Sequence, residues 1–333
     1  MLRKILLSFA VLLTTNLWAK KTDKIVVAGP FATVSHPMIL MQKNDVLKDL
    51  GKEIEFKVWR NPDELRALAL NSDVDFIAVP TNVAANLYNK GVDIKLLNVS
   101  VWGILGMLTR DKSLKKLSDF KDKEIVMPFK FDMPDIVFKE IVKAQGFDYK
   151  KDFKLKYVSS PIDAMQMLIM RRVDHALLAE PATSIALRKT KSFPLKVVAP
   201  ELYRSADLQK EWGEVFKIES KIPQAGIAYL GETTGKKEII DRFMLEYKKA
   251  LAWYKNNPEK SSEIIVKALP MLEEKGLADS IKYVNIDSVK SNDSKKDLEF
   301  FFDILNLIIS LLFIKRLSAK KRQVTGFVKR KKN

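Results

Sequence analysis

The strongest constraint in this sequence is an alternation. Short apolar runs end at proline, glycine or a capping residue, and each is followed by apolar residues at helical spacing. Lys24 to Ala28 is stopped by Gly29-Pro30, and Pro37 to Leu50 then carries Ile39, Leu40, Val46, Leu47 and Leu50 on one helical face. Glu53 to Trp59 alternates as a strand does, and Asn61-Pro62-Asp63-Glu64 opens a helix reaching Leu70. Val74 to Val79 reads as a buried strand, and Pro80-Thr81-Asn82 starts an alanine-rich helix to about Tyr88. Three successive units of this kind predict a parallel sheet with right-handed crossovers.

Strands over Ile94 to Val101 and Gly106 to Thr109 flank Trp102-Gly103, and the pattern then restarts. A helical turn is expected over Leu114 to Phe120, a strand over Glu124 to Met127, and a helix from Pro134 to Gln145 closed by Gly146. Phe153 to Val158 reads as a strand leaving through Ser159-Ser160-Pro161 into a methionine-rich helix ending at Met170. Asp174 to Thr183 repeats the strand-to-helix junction at Glu180-Pro181, and Leu195 to Ala199 is expected to be a further strand. After a helix with Trp212 and Phe216 come a strand over Ile222 to Tyr229 and helices over Thr234 to Asn256 and Ser261 to Ala268. Their apolar faces need a sheet to cover. We therefore expect the chain to cross back, giving lobe 1 from 20–107 and 224–302 and lobe 2 from 108–223.

The chain has 333 residues, enough for roughly two domains, and a formal charge of +17. That charge is concentrated at the ends. Residues 1–20 hold three basic residues and 315–333 hold nine, with no acid in either; the remaining 46 basic and 41 acidic residues leave a net charge of only +5. A body so balanced is an ordinary solvated surface and gives no reason to expect nucleic acid as a partner. Arg3 and Lys4 precede an apolar segment from Ile5 to Leu13 and a small-residue site at Ala19, the pattern of an export signal over residues 1–19 cleaved before Lys20. The apolar run is too short for a membrane anchor. The absence of cysteine excludes disulfides, thiolate catalysis, Cys-ligated metal and an N-terminal lipid. A periplasmic location fits these facts.

Several motifs then point to a family. The Gly29-Pro30 break, Val79-Pro80-Thr81-Asn82-Val83-Ala84-Ala85, Ala179-Glu180-Pro181-Ala182-Thr183 and Ile222-Pro223-Gln224-Ala225-Gly226, in this order behind a cleavable signal, resemble the periplasmic binding proteins of the nitrate, sulfonate, taurine and thiamine-precursor type. The resemblance spans roughly residues 24 to 302. It implies an α/β, two-lobe (type II-like) receptor, each lobe a mostly parallel sheet flanked by helices, with crossover strands as a hinge. It implies also a monomer that closes on a small solute and delivers it to a membrane permease driven by a cytoplasmic ATPase. Helix N-termini around such a cleft suit an anionic group.

Loops after strands supply the candidate ligand-binding residues. In lobe 1 these are Phe31, Thr33, Ser35, His36, Trp59, Asn61, Thr81, Asn82 and Trp102; in lobe 2 they are Phe129, Lys130, Asp132, Ser159, Ser160, Glu180 and Thr183. Aromatics there can stack on a planar ligand and hydroxyls can orient it. Asn61 and Ser160 serve equally well as helix caps, and Trp59 and Trp102 as core or interlobe aromatics. His175, inside an apolar strand, reads as a hydrogen-bonded core residue, and two histidines so far apart make no metal motif. Glu180 at the cleft would repel a sulfonate and accept from an amine or aminopyrimidine, unless Lys130 or Arg60 pairs with it.

No cofactor and no catalytic residue is expected, because no Ser/His/Asp order, metal cluster or phosphate-cradling glycine loop stands out. A sensing module that signals to a membrane partner, or a pyrimidine-forming enzyme of the same fold, are the alternative functions. The end of the chain, 303–333, departs from the family. Phe300 to Ile314 is apolar and the rest is basic. It is a core helix with an odd tail, a weak membrane contact, or a shifted reading frame; one base along, Lys321 to Thr325 would read Lys-Gly-Lys-Leu-Pro, resembling the ending of many relatives.

Overall fold

A computed structural model describes residues 23–70, 73–198 and 201–305. The expected export signal and nearly all of the atypical C-terminal tail lie outside them.

The chain opens with β1 (Asp23–Gly29), α1 (His36–Lys43), β2 (Lys52–Val58), α2 (Pro62–Leu70), β3 (Phe76–Pro80), α3 (Thr81–Asn89), β4 (Ile94–Leu96) and β5 (Asn98–Gly103). It continues through β6 (Leu105–Thr109), β7 (Glu124–Pro128), α4 (Met133–Ala144), β8 (Lys154–Val158), α5 (Pro161–Ile169), β9 (His175–Ala179), α6 (Ala182–Lys191), α7 (Leu195–Val198), β10 (Tyr203–Asp207) and α8 (Leu208–Phe216). It ends with β11 (Ala225–Leu230), α9 (Lys237–Asn256), α10 (Pro258–Ala268), α11 (Glu274–Ser280), β12 (Asn285–Lys290) and α12 (Lys295–Ile304).

These strands form two sheets, each the centre of a lobe. The larger runs β12-β5-β11-β3-β1-β2, with β4 also on β11, and the smaller runs β10-β6-β9-β7-β8. Both are mixed rather than mostly parallel. The βα units supply the parallel trios β2-β1-β3 and β8-β7-β9. Strands next to the crossings, β5 and β11 in one sheet and β6 in the other, pair antiparallel to their neighbours. All five residues of β6 pair with β9, so the chain changes sheet at Ile104, before the expected boundary at 107.

Apolar faces at helical spacing fill the space above each sheet. In α9, Phe243, Tyr247, Leu251 and Tyr254 recur every three or four residues and all are buried. Phe243 stacks on Phe76 of β3 with centroids 3.7 Å apart. The final helix, α12, leaves the first sheet and buries Phe301 against Trp212 of α8, 5.6 Å between centroids. The apolar start of the expected tail is thus a core helix through Ile304. The segment expected as a strand from Leu195 is instead one helical turn, α7, with Val197 and Val198 exposed. Three apolar residues interrupted by Lys196 carry no periodicity that separates the two states.

Two buried positions give testable consequences. Gly226, in β11, lies so close to β5 that a Cβ would sit 1.9 Å from the Asn98 carbonyl oxygen, which backbone movement alone can relieve. Gly226→Ala should destabilise the fold by about 1–3 kcal/mol and lower the melting temperature by several degrees. An unchanged melt would contradict this packing.

His36 is fully buried, its Nδ1 3.0 Å from the Tyr254 hydroxyl. Burial lowers its pKa to about 3, whereas the unfolded imidazole titrates near 6.5. Between those values the unfolded chain binds a proton that the folded chain refuses. The stabilisation is therefore complete above about pH 6.5 and is lost as pH falls towards 3, at up to about 1.4 kcal/mol per pH unit. Urea unfolding at pH 7 and pH 5 should show a smaller loss for His36→Gln than for the parent chain; equal losses would contradict the assignment.

Candidate functional site

The ends of β1, β3, β7 and β9 meet between the sheets, and the loops that follow them wall two adjoining cavities of about 100 and 50 Å³. Pro30, Ala32, Phe129, Pro161 and Ala179 border both. Trp59, Pro80, Asp132 and Gln224 line the larger, with Ile104 at the crossing; Phe31, Met165, Glu180 and Met271 line the smaller. Residues of both lobes are therefore needed to form either wall. Most of that wall is apolar.

The turn after β7 explains how Phe129 enters. Phe129 and Phe131 both adopt left-handed backbone (φ 57° and 63°), an unfavourable region for such residues. The turn is held by the Asp132 N–H donating to the Phe129 carbonyl (2.9 Å) and the Phe131 N–H donating to the Asp135 carboxylate (2.8 Å). It delivers Asp132 to the start of α4, where Oδ1 accepts from the Met133 N–H at 2.9 Å.

Asp132 is the buried carboxylate of the larger cavity. Only 4% exposed, it receives Arg66 from α2 of the opposite lobe at 3.3 Å. Burial raises its pKa, opposed by the Met133 N–H, the Arg66 charge and a hydrogen bond from the Asn82 side chain. The Asn82 Oδ1 is buried with no hydrogen-bond partner. Asp132 thus borders the apolar chamber with a donor already on each oxygen, the Met133 N–H on Oδ1 and Arg66 on Oδ2. Its remaining lone pairs can accept from a donor on a solute.

Glu180 has a different arrangement. Its Oε1 pairs with Arg204 and its Oε2 accepts the Ser184 N–H at 3.1 Å, so both oxygens are held within lobe 2. The partner weighed from sequence, Lys130 or Arg60, is in each case elsewhere: Arg60 lies 3.7 Å from Glu64, and Lys130 sits over the Phe131 and Tyr157 rings. What Glu180 offers across the cleft is its carbonyl, 3.4 Å from the Thr33 hydroxyl that donates to it.

The other sequence candidates divide by position. Phe31, Trp59, Phe129, Asp132, Ser160 and Glu180 reach a cavity wall. Trp59 also donates its indole N–H to the Ala78 carbonyl at 3.2 Å. Asn61 and Ser160 cap helices: Asn61 Oδ1 accepts from Asp63 and Glu64, and Ser160 Oγ accepts from Asp163. Thr81 donates to the Pro223 carbonyl, and Asn82 lies behind Asp132. Ser35, His36 and Thr183 are buried outside the walls, Ser35 against Gly29. Trp102 is anchored to the Asp287 carbonyl on the far side of β5, and Lys130 and Ser159 are solvent-exposed. His175 is a core residue, 2.8 Å from the Thr109 hydroxyl.

Sequence reading missed Arg66, Gln209 and Gln224. Gln224 Oε1 accepts the Ile104 N–H, and its amide donates to Gln209 Oε1; Gln209 in turn takes the Leu105 N–H and donates to the Leu105 carbonyl. The two glutamines thus tie the crossings together. The Pro223-Gln224-Ala225 motif was visible, but nothing local marked Gln224 as a hinge residue. Among the described residues no three His, Asp or Glu gather as a metal site, and no helix is long and apolar enough to cross a membrane.

No family model and no curated protein matches the chain by sequence. Solved structures do match it. An ABC transporter protein from Parabacteroides distasonis shares 21% identity over 93% of this chain and 100% of its own, with a TM-score of 0.67. The periplasmic aliphatic sulphonate binding protein SsuA from Escherichia coli shares 15% over 93% and 96%, TM-score 0.65. The periplasmic nitrate-binding protein NrtA from Synechocystis PCC 6803 shares 14% over 89% and 85%, TM-score 0.67. Likeness at these identities establishes architecture: the chain has the α/β, two-lobe fold of the periplasmic solute-binding proteins of ABC-type transporters.

Proposed function

We propose that this chain is a periplasmic receptor that acts as a monomer, closes on one small solute and hands it, unaltered, to an ABC-type permease. The observation carrying the proposal is a cavity walled jointly by two lobes whose connections are confined to a few crossing segments. Such a cavity can admit a solute only when the lobes part. Solute that contacts both walls then favours the closed state in proportion to its extra affinity for it.

The lining narrows the solute. Trp59 and Phe129 offer apolar, aromatic surface, and Asp132 is the buried charge at the wall. An anion would face a carboxylate whose charge is shared with one partly exposed arginine, Arg66, in a chamber of low polarity. A compact nitrogen-bearing solute, apolar or aromatic over most of its surface and able to donate N–H to Asp132, fits better than the sulfonate or nitrate named for two structural neighbours. The nitrogen preference expected at Glu180 is thereby carried by Asp132.

A thermal-shift screen of the mature chain tests both levels. Aminopyrimidines, small amines and thiamine form one set; nitrate, bicarbonate, alkyl sulfonates and small carboxylates form the other. A member of the first set should stabilise the protein, by about 2.7 kcal/mol at 100 times its Kd. Asp132→Asn, which keeps an oxygen to cap α4, should weaken that solute at least about tenfold. Stabilisation by an anion alone, undiminished by Asp132→Asn, would contradict the solute class; no stabilisation by any member would count against the receptor reading.

A further inference from the structure

The surface of lobe 2 carries a second feature, independent of the cleft. Beyond α6 the chain makes a tip in which Phe193 is 85% exposed, Val197 77% and Val198 59%, and Met170 beside it is 57% exposed. The Arg171 guanidinium donates to the Val198 carbonyl at 3.0 Å, joining the two stretches. Four apolar side chains so exposed are an unfavourable arrangement in water. Basic residues flank them in the sequence. Residues 187–198 contain Arg188, Lys189, Lys191 and Lys196 without an acid, and Arg171 and Arg172 follow Met170.

Directly alongside runs a surface groove of about 470 Å³, which Lys191 and Ser192 share with the tip and which Lys282 and Tyr283 complete from the other lobe. Two of its cations, Arg188 and Arg204, are paired with Asp279 and Glu180. Among the described residues Lys191 and Lys282 are in no ion pair, and Lys282 lies over the Tyr283 ring, 5.1 Å from its centroid. Apolar groups ready to leave water thus stand next to unneutralised cations.

From this pairing we infer that the tip and groove form a docking surface for an anionic phospholipid bilayer. Phe193, Val197 and Val198 enter the interfacial layer while Lys191, Lys196 and Lys282 meet headgroup phosphates. Interfacial binding combines these two terms, buried apolar area and attraction of basic residues to anionic lipid. A protein partner is the poorer fit. Stable interfaces bury roughly 800 Å² on each side, and a tip of four apolar side chains offers only a fraction of that.

Co-sedimentation of the full chain with vesicles tests the inference. Vesicles rich in phosphatidylglycerol should bring the protein down, phosphatidylcholine vesicles should not, and raising the salt should release it. Because Phe193 and Val197 are exposed, Phe193→Ser/Val197→Ser leaves the core intact, and circular dichroism checks this. It should weaken vesicle binding at least about fivefold, as should Lys191→Glu/Lys282→Glu. The basic residues at 315–333 are common to all variants, so the difference between variants reads the tip and groove alone. Equal binding by parent and both variants would overturn the proposal. So would a melting shift with inorganic phosphate, lost in Lys191→Glu/Lys282→Glu, from a protein that no vesicle brings down, since that would mark the groove as a simple anion site.

Discussion

Everything in this molecule depends on how the backbone is satisfied where it passes between the lobes. At Ile104 and Leu105 the chain leaves one sheet for the other, and buried N–H and C=O groups there lack a full ladder partner. Gln224 and Gln209 supply the missing partners, and the Ile222 and Gln224 N–H groups bond to the Trp102 and Val101 carbonyls. The outgoing and returning segments are held side by side in this way. The two sheets thereby share one cleft, with apolar clusters that run through both.

The opposite rim is held by contacts of another kind. Thr33 reaches the Glu180 carbonyl, Arg66 reaches Asp132, and α11 docks on α6 so tightly that a Cβ on Gly276 would lie 2.8 Å from the Ile185 Cα. Arg188 pairs with Asp279 across the same seam at 2.7 Å. The polar pairs among these contacts are individually worth little, and beside them the apolar core is continuous between the lobes, Phe76 and Phe243 of one belonging to the same buried cluster as Val126 and Leu168 of the other.

The fold was readable because its signals are local. Proline at positions 30, 62, 161 and 181 stops a strand or opens a helix, and the apolar period changes from two to three or four at each junction. What escaped reading depends on neighbours distant in sequence. Tyr203–Asp207 is a polar strand whose reason to exist is β6, and the mixed character of the sheets comes from β6, β5 and β11 running against their partners. The site shows the same division. Trp59 and Phe129 lie on strand exits and reach the cavity wall, while Glu180 and Asp132 occupy formally similar junctions. Arg204, 24 residues away, pairs with the first, and Arg66, 66 residues away in the other lobe, pairs with the second. Which lobe supplies each carboxylate's partner is a tertiary fact.

The central claim is that the two lobes close on a solute. Because the chain has no cysteine, Asp63→Cys and Lys151→Cys, both exposed and on opposite lobes, place a pair of spin labels without background. Pulsed electron–electron distance measurement on this variant, across the same set of solutes, reads the hinge directly. The account predicts a broad distribution without solute and a single narrow distance, equal to that of the present structure, with the solute that binds. An unchanged distribution with a bound solute would contradict it.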